Sequence, residues 1–224
     1  MVVMDPALLL EPFTRHSVLL EHEAKSVFRS AGIRVPEGIW IPAGAHMSGP
    51  VPLRYPLAAK VSSRAFSSKS GVRGVRLGIC DRDGLGKALD ELQRIPDAEG
   101  VLVEEMAEPG VEAIVGGAVD PQFGPIVMFG LGGIFTEVFR DVSFGLAPLD
   151  RERAFAAVRQ ITGYQVLEEY RGRPAVDREA LARVMVTVSE FMATGLVEEI
   201  DLNPVALSAD GAVVLDAKIK LLQR

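Results

Sequence analysis

The sequence predicts an α+β protein of two lobes, and three observations carry that prediction. Strand and helix patterns alternate along the chain without the strict β-α-β period of a doubly wound sheet. At 224 residues the chain is the size of one large domain or two small lobes, enough to bury a core without staples. Its 48% hydrophobic and 24% charged content is that of a packed soluble protein and excludes disorder, collagen and coiled coil.

Residues 1–16 set Pro6, Pro12 and two acids around Leu8–Leu10 and read as a loosely tied leader. From Ser17 to Ala31 the apolar positions Val18, Leu19, Ala24, Val27 and Phe28 recur at helical spacing, and Gly32 stops the run where a C-cap sits. Ile33–Ile41 alternates, and the Pro/Gly-rich stretch 42–56 is loop. Leu57–Ser62 and Val72–Ile79 read as strands flanking a Ser/Gly-rich loop, a natural cover for a ligand. A helix over Leu85–Arg94 and strands over Gly100–Val103 and Glu112–Val119 follow. Pro125–Phe129 is a buried strand that runs into the glycine turn Gly130–Gly133. Helices at 150–162 and 177–194 precede a closing hairpin around Asp210–Gly211.

Charge and residue counts narrow the function. Lys plus Arg total 24 against 30 Asp plus Glu, a net charge of -6 with basic residues scattered, which argues against nucleic acid as a partner. Cys80 is the only cysteine, so no internal disulfide or thiolate metal cluster can form, and a reducing cytoplasm fits. No run has the length of a membrane span, and the start lacks a basic flank, so neither anchor nor signal peptide is expected. His16, His22 and His46 lack the spacing of a zinc site or a catalytic triad. There is no G-x-S-x-G elbow, and Gly130-x-Gly132-Gly133 misses the dinucleotide spacing and reads as a tight turn.

Two constellations remain. If Asp210–Gly211 centres the last turn, Asp216 opposes Val205, and Asn203 lies two residues along on the same face as Glu199 and Asp201. A few oxygens mixing carboxylate and amide suit Mg²⁺ shared with substrate phosphates. An acidic hairpin face turned to solvent explains the same residues equally well. The second constellation is Lys60, at the end of the apolar run Leu57–Ala59, with the Ser/Gly-rich loop and its Lys69, Arg73 and Arg76. This is the composition of a phosphate cradle without the P-loop pattern, and a flexible hairpin tip is the alternative.

The order of motifs from about Glu21 to Leu221 resembles the ATP-grasp β subunit or domain of nucleoside-diphosphate-forming acyl-CoA synthetases, such as ADP-forming acetate–CoA ligases. More distantly it resembles the succinyl-CoA synthetase β chain. The landmarks are Glu21-His22-Glu23-Ala24-Lys25, Tyr55-Pro56-Leu57-Ala58-Ala59-Lys60, Lys69-Ser70-Gly71-Val72-Arg73-Gly74-Val75-Arg76-Leu77 and Val101–Met106. They continue through the long run Phe123–Val138, Asp141–Phe144, Arg171–Pro174 and Asp201-Leu202-Asn203-Pro204.

The resemblance implies an ATP-grasp fold, two lobes with the nucleotide between them: residues 36–103 as the N-terminal lobe, 104–224 as the C-terminal lobe, and 1–35 as leader and first helix. It implies ATP or ADP with Mg²⁺ as cofactors. Lys60 is then expected at the α-phosphate, with Glu104, Glu105 and Met106 as the hinge along the adenine and Glu112 near the ribose. The loop over the phosphates supplies Gly71 and Gly74, with Ser68, Lys69 and Arg73 as candidate catalytic groups, and Asn203 with Asp216 holds the metal. A hetero-oligomer is implied, in which a CoA-binding α subunit supplies a phosphorylatable histidine.

Four departures stand out. Ser68 occupies the place of a loop histidine, and Arg73-Gly74 that of a glycine pair. Gly145 replaces an arginine, and the helix before Lys60 is shortened to the Pro-rich residues 42–56. A serine cannot serve as the same phosphoramidate carrier. Two rival readings follow: a nucleotide-binding regulatory subunit without turnover, and an ATP-grasp carboxylate–amine ligase, which needs no phosphohistidine.

Overall fold

The computed structural model describes residues 4–47, 49–65, 73–133, 139–169, 172 and 174–223. They divide into two units, one of Leu20–His22 and Pro36–Glu108, the other of Met1–Leu19, Glu23–Val35 and Pro109–Arg224.

The smaller unit is a four-stranded antiparallel sheet with one helix. Its strands are β1 (Gly38–Pro42), β2 (Leu57–Ser62), β3 (Val75–Ile79) and β4 (Gly100–Glu105), in the order β1-β4-β2-β3. Helix α3 (Arg82–Leu92) begins at Asp81, whose carboxylate accepts from the Gly84 N–H. Its Leu85, Ala88, Leu89 and Leu92 pack with Leu57, Ala59, Val61, Val101 and Val103 into one apolar cluster. Successive strand residues point to opposite faces, so Ala58, Lys60, Ser62, Leu102 and Glu104 turn away from α3.

In the larger unit five antiparallel strands run in the order β10-β8-β5-β6-β7. They are β5 (Val111–Asp120), β6 (Gly124–Leu131), β7 (Val142–Leu146), β8 (Val197–Ser208) and β10 (Ala217–Leu221), and β9 (Gly211–Val214) pairs with the far end of β8. Helix α4 (Arg151–Val158) lies against β7, and α5 (Arg178–Ala193) lies against β5, β6, β8 and β9. Asp150 and Asp177 cap the two helices by accepting from the N–H groups of Arg153 and Ala180. Leu181, Met185, Val188, Phe191 and Met192 of α5 meet Val115, Val127, Phe129, Ile200 and Leu202 in a single core. The glycine turn after β6 has a steric reason. A Cβ on Gly132 would stand 2.9 Å from Glu112 Cβ, where the Gly132 N–H donates to the Glu112 carbonyl at 2.7 Å.

Three expectations change. The leader is tied down: α1 (Pro6–Leu10) buries Leu9 and Leu10, because Asp5 caps the turn and the leucines reach the core of the larger unit. The first long helix, α2, runs over Glu21–Ser30 and not from Ser17, since residues 17–19 pair with β10 through Leu19 N–H to the Ile219 carbonyl and Leu221 N–H to the Ser17 carbonyl. The last hairpin turns on Ala209–Asp210, one residue earlier than its Asp-Gly signal suggests. Gly211, with φ of 136°, is already paired to Ser208 as the first residue of β9. Among the described residues no helix is long and apolar enough to cross a membrane.

Candidate functional site

In the smaller unit Lys60 sits on β2, 8% exposed, and its ammonium lies 3.0 Å from a carboxylate oxygen of Glu21 and 3.0 Å from one of Glu104. Both glutamates are buried. The lysine at the end of an apolar run is thus the centre of a three-charge cluster on the sheet face away from α3. Ser62, two residues on and on the same face, accepts the Glu21 N–H at 3.2 Å and fixes the start of α2. Room for Glu104 comes from Gly38 on the neighbouring strand, where a Cβ would stand 2.8 Å from Glu104 Cγ and 2.9 Å from the Val103 carbonyl oxygen. Buried charges in this number are costly unless paired, so the arrangement is organised around its contacts.

Glu105 and Met106 follow at the end of β4. The Glu105 carboxylate accepts from the Arg54 N–H at 2.9 Å and from its guanidinium at 2.9 and 3.1 Å. Those bonds, the guanidinium's first and the backbone's second, hold the carboxyl below the usual carboxylate range. The Met106 N–H donates to the Pro56 carbonyl, and its half-exposed thioether accepts from Gly78 at 3.2 Å. In this unit the covering loop is described from Arg73 onward, and Ser68, Lys69 and Gly71 lie outside the described residues. Arg73 holds φ at 51°, the left-handed region that favours glycine, so arginine occupies the place of a glycine without changing the backbone it calls for. Gly74 is buried, and its carbonyl accepts from Val61.

In the larger unit the register of β8 breaks on both sides at Asn203–Pro204. Toward β5, Ala113 faces Val205 while Val115 faces Leu202, so β8 holds one extra residue. On its other edge β9 ends at Val214 and β10 starts at Ala217, leaving Leu215 and Asp216 as a connector. The shifted turn puts Asp216 directly opposite Asn203, and not opposite Val205: the Asn203 N–H donates to the Asp216 carbonyl at 3.2 Å. The connector is held twice more, by the Leu215 N–H on the Pro204 carbonyl at 2.9 Å and by the buried ammonium of Lys25 on the Leu215 carbonyl at 2.7 Å. Asn203 is exposed and Asp216 half-buried, which leaves an amide and a carboxylate side by side. That donor set fits a hard cation completing its shell with phosphate oxygens and water. Glu199 and Asp201, on the same strand, face Lys220 and Lys218 and form a cross-strand charge ladder. Among the described residues no group of three or more His, Cys, Asp or Glu forms a metal cage. Glu112 is exposed on β5, its backbone braced by Gly132. At Gly145 a Cβ would stand 2.8 Å from Leu149 Cδ2, so a larger residue there requires the leucine side chain to shift.

Glu21 and Lys25, the side chains of α2 that reach Lys60 and the connector, carry no assigned role in the sequence. The sequence shows only an acid and a base four apart on a helix; that both are buried is seen in the structure alone.

The ATP-grasp domain family matches residues 13–221. An ADP-forming acetate–CoA ligase II of Archaeoglobus fulgidus is 39% identical over 208 residues, 92% of this chain but only 31% of that protein, so the chain spans about a third of this relative's length. The β subunit of the ADP-forming acetate–CoA ligase I of Pyrococcus furiosus is 38% identical, and the match covers 91% of each chain. Among solved structures, the dinucleotide-forming acetyl-coenzyme A synthetase 1 of Ca. Korarchaeum cryptofilum with coenzyme A and Ca-AMPCP superimposes with a TM-score of 0.85. It is 35% identical and covers 98% of this chain and 100% of that one. The same enzyme with coenzyme A and Mg-AMPPCP, its phosphohistidine segment pointing towards the nucleotide binding site, gives a TM-score of 0.78 at 36% identity, covering 97% and 99%.

Proposed function

The chain belongs to the ATP-grasp domain family, and from that premise we propose that it is the nucleotide-binding β part of an ADP-forming acid–CoA ligase. The observation that carries this reading is the near full-length match to a separate β subunit, on a chain that keeps a buried, ion-paired lysine and sets Asn203 opposite Asp216 through a backbone hydrogen bond. In the reading, a CoA-binding α subunit converts acyl-CoA and phosphate to acyl phosphate and free CoA. A histidine of that subunit takes the phosphoryl group and releases the acid. ADP on the β part then takes the group from the histidine, giving ATP. Such transfers depend on positioning and charge neutralisation. Lys60 supplies fixed positive charge to the nucleotide phosphates, Glu105 and Met106 border the base, and Glu112 borders the ribose; Glu104, expected with them at the base, is instead buried against the Lys60 ammonium. Asn203 and Asp216 would hold Mg²⁺, which when bound neutralises phosphate charge.

The covering-loop residues Ser68, Lys69, Gly71, Arg73 and Gly74 belong to the phosphate end of this reading. Serine at position 68 supports a second one, a subunit that binds nucleotide without turnover. One assay separates them: the chain with a CoA-binding partner, acyl-CoA, phosphate and Mg-ADP. ATP formation that needs both proteins is the expected result. Nucleotide binding without ATP formation supports the second reading, and absence of nucleotide binding overturns both.

A further inference from the structure

We propose that Glu21 is a positioning residue for the nucleotide, acting through Lys60; the inference rests on the nucleotide-binding reading given above. Glu21 lies 39 residues before Lys60, in the first turn of a helix, and belongs to no phosphate-binding pattern. Three features tie it to Lys60. Its carboxylate and that of Glu104 each lie 3.0 Å from the same ammonium, one from α2 and one from β4, so the ammonium is fixed from two directions. Ser62 pins the Glu21 backbone from the strand that carries Lys60, which makes the pair one unit rather than a chance contact. The side chains of Glu21 and Glu104 are 1% and 3% exposed, out of the water that would let an ordinary surface pair exchange partners.

A buried pair of carboxylates on one lysine is a poor source of stability compared with apolar packing of the same volume. What it supplies is a single direction for a flexible four-carbon side chain. Fixing a lysine costs rotamer freedom, and here that loss is met in the folded protein before any ligand arrives. A nucleotide phosphate then meets a pre-aimed charge, the condition under which polar contacts contribute most to binding.

The alternative role for Glu21 is electrostatic, and it predicts the opposite sign. An acid beside a phosphate-binding lysine reduces the positive field, so if that were its whole effect, removing it would tighten nucleotide binding. The test is calorimetric titration of the full chain with Mg-ADP. Glu21→Ala is expected to weaken binding about tenfold, the scale of one hydrogen bond to a charged group. Glu21→Gln keeps length and acceptor and should stay within about threefold of the native chain, while Glu21→Asp, which keeps charge but withdraws it by one methylene, should lose more than Gln does. In a Lys60→Met background the Glu21→Ala effect should vanish, because residues acting as one unit are not additive. Unchanged or tighter binding by Glu21→Ala overturns the inference, as does an effect that persists without Lys60. Should Glu21→Ala fail to fold, the ranking of Gln over Asp decides, and Asp binding as well as Gln or better overturns it. If the native chain binds neither Mg-ADP nor Mg-ATP, the nucleotide reading itself fails and takes the inference with it. Native binding with an unaffected Glu21→Ala strikes the inference alone.

Discussion

The Lys60 cluster and the Asn203–Asp216 pair both set charged or polar groups on a strand, yet they are built by different means. Around Lys60 the side chains lead: three buried charges from α2, β2 and β4 hold one another on the in-register β2–β4 pair. At Asn203 the backbone leads: a bulge in β8 and the gap between β9 and β10 leave two residues facing each other, with bonds between main-chain groups and one from the Lys25 ammonium to a carbonyl. The first arrangement stakes fold stability on the identity of its side chains. In the second, the backbone bonds are expected to keep the geometry when the functional side chains are changed.

Lys60→Ala should produce the largest effect and break the first arrangement outright. Read from the sequence, Lys60→Ala should leave the fold intact, because the side chain is expected to end in the nucleotide cleft. In the structure Lys60 is buried between two carboxylates, and its removal takes away the ammonium that both face. A loss of about 3–5 kcal/mol in chemical denaturation is expected, with nucleotide affinity in the folded fraction falling by about 1.5–3 kcal/mol. Adding Glu21→Gln and Glu104→Gln should recover most of the stability and none of the affinity.

Gly38→Ala comes next. It adds one methyl group 2.8 Å from Glu104 Cγ and 2.9 Å from a carbonyl oxygen, so either the strand or Glu104 must shift. Overpacking of this kind costs about 1–3 kcal/mol. Weaker Mg-ADP binding alongside the lower melting temperature would show that Glu104 moved; a stability loss with unchanged affinity would show that the strand did.

At the other site Asp216→Asn should change stability by about 1 kcal/mol or less, since the groups that fix the connector are backbone and Lys25. Its effect falls on the metal. The native chain is expected to bind ADP more tightly with Mg²⁺ than in excess chelator, and in Asp216→Asn that difference should largely disappear. A native affinity indifferent to chelator would remove the metal role from both residues.

The contrast also explains what could be read from the chain. Asn203 and Asp216 are joined by a hairpin, a local object with a local signal, so their closeness was legible even though the turn lies one residue earlier than Asp210–Gly211 suggests. That slip improved the pairing, because it placed Asp216 opposite Asn203. The strands from Leu57 to Ser62 and from Gly100 onward were legible from apolar runs, since one of their faces feeds an α3 core. The partners of Lys60 were not legible. Nothing in Glu21 or Glu104 marks an acid that will be buried rather than solvated, because that depends on which helix end reaches which strand. The leader failed for the same reason: Leu8–Leu10 carries too short a pattern to announce a turn whose stability comes from the distant core it reaches.

The smallest expected effect sharpens the comparison at the edge of the Lys60 cluster. Glu105, adjacent to the buried Glu104, pairs with Arg54, whose side chain is 89% exposed. The carboxyl is held low by the guanidinium's hydrogen bonds and then by the Arg54 N–H, and Arg54 is raised in turn. A carboxylate whose folded pKa lies below its unfolded one contributes stability above the unfolded value and loses it as pH falls through the folded one. Arg54→Ala should therefore move the Glu105 titration upward toward the ordinary carboxylate range, less than the full distance because the backbone N–H bond at residue 54 remains. Solvent screens an exposed partner, so the neutral-pH melting temperature should barely change, and only the acid limb of the stability curve should shift. A carbon-detected NMR titration of the glutamate carboxyls reads the first effect, and thermal melts across the acid range read the second. If Arg54→Ala lowered the neutral-pH melting temperature as far as Gly38→Ala does, Glu105 would belong to the same stability-bearing cluster as Glu104, and the boundary drawn between buried and exposed pairs at the end of β4 would be wrong.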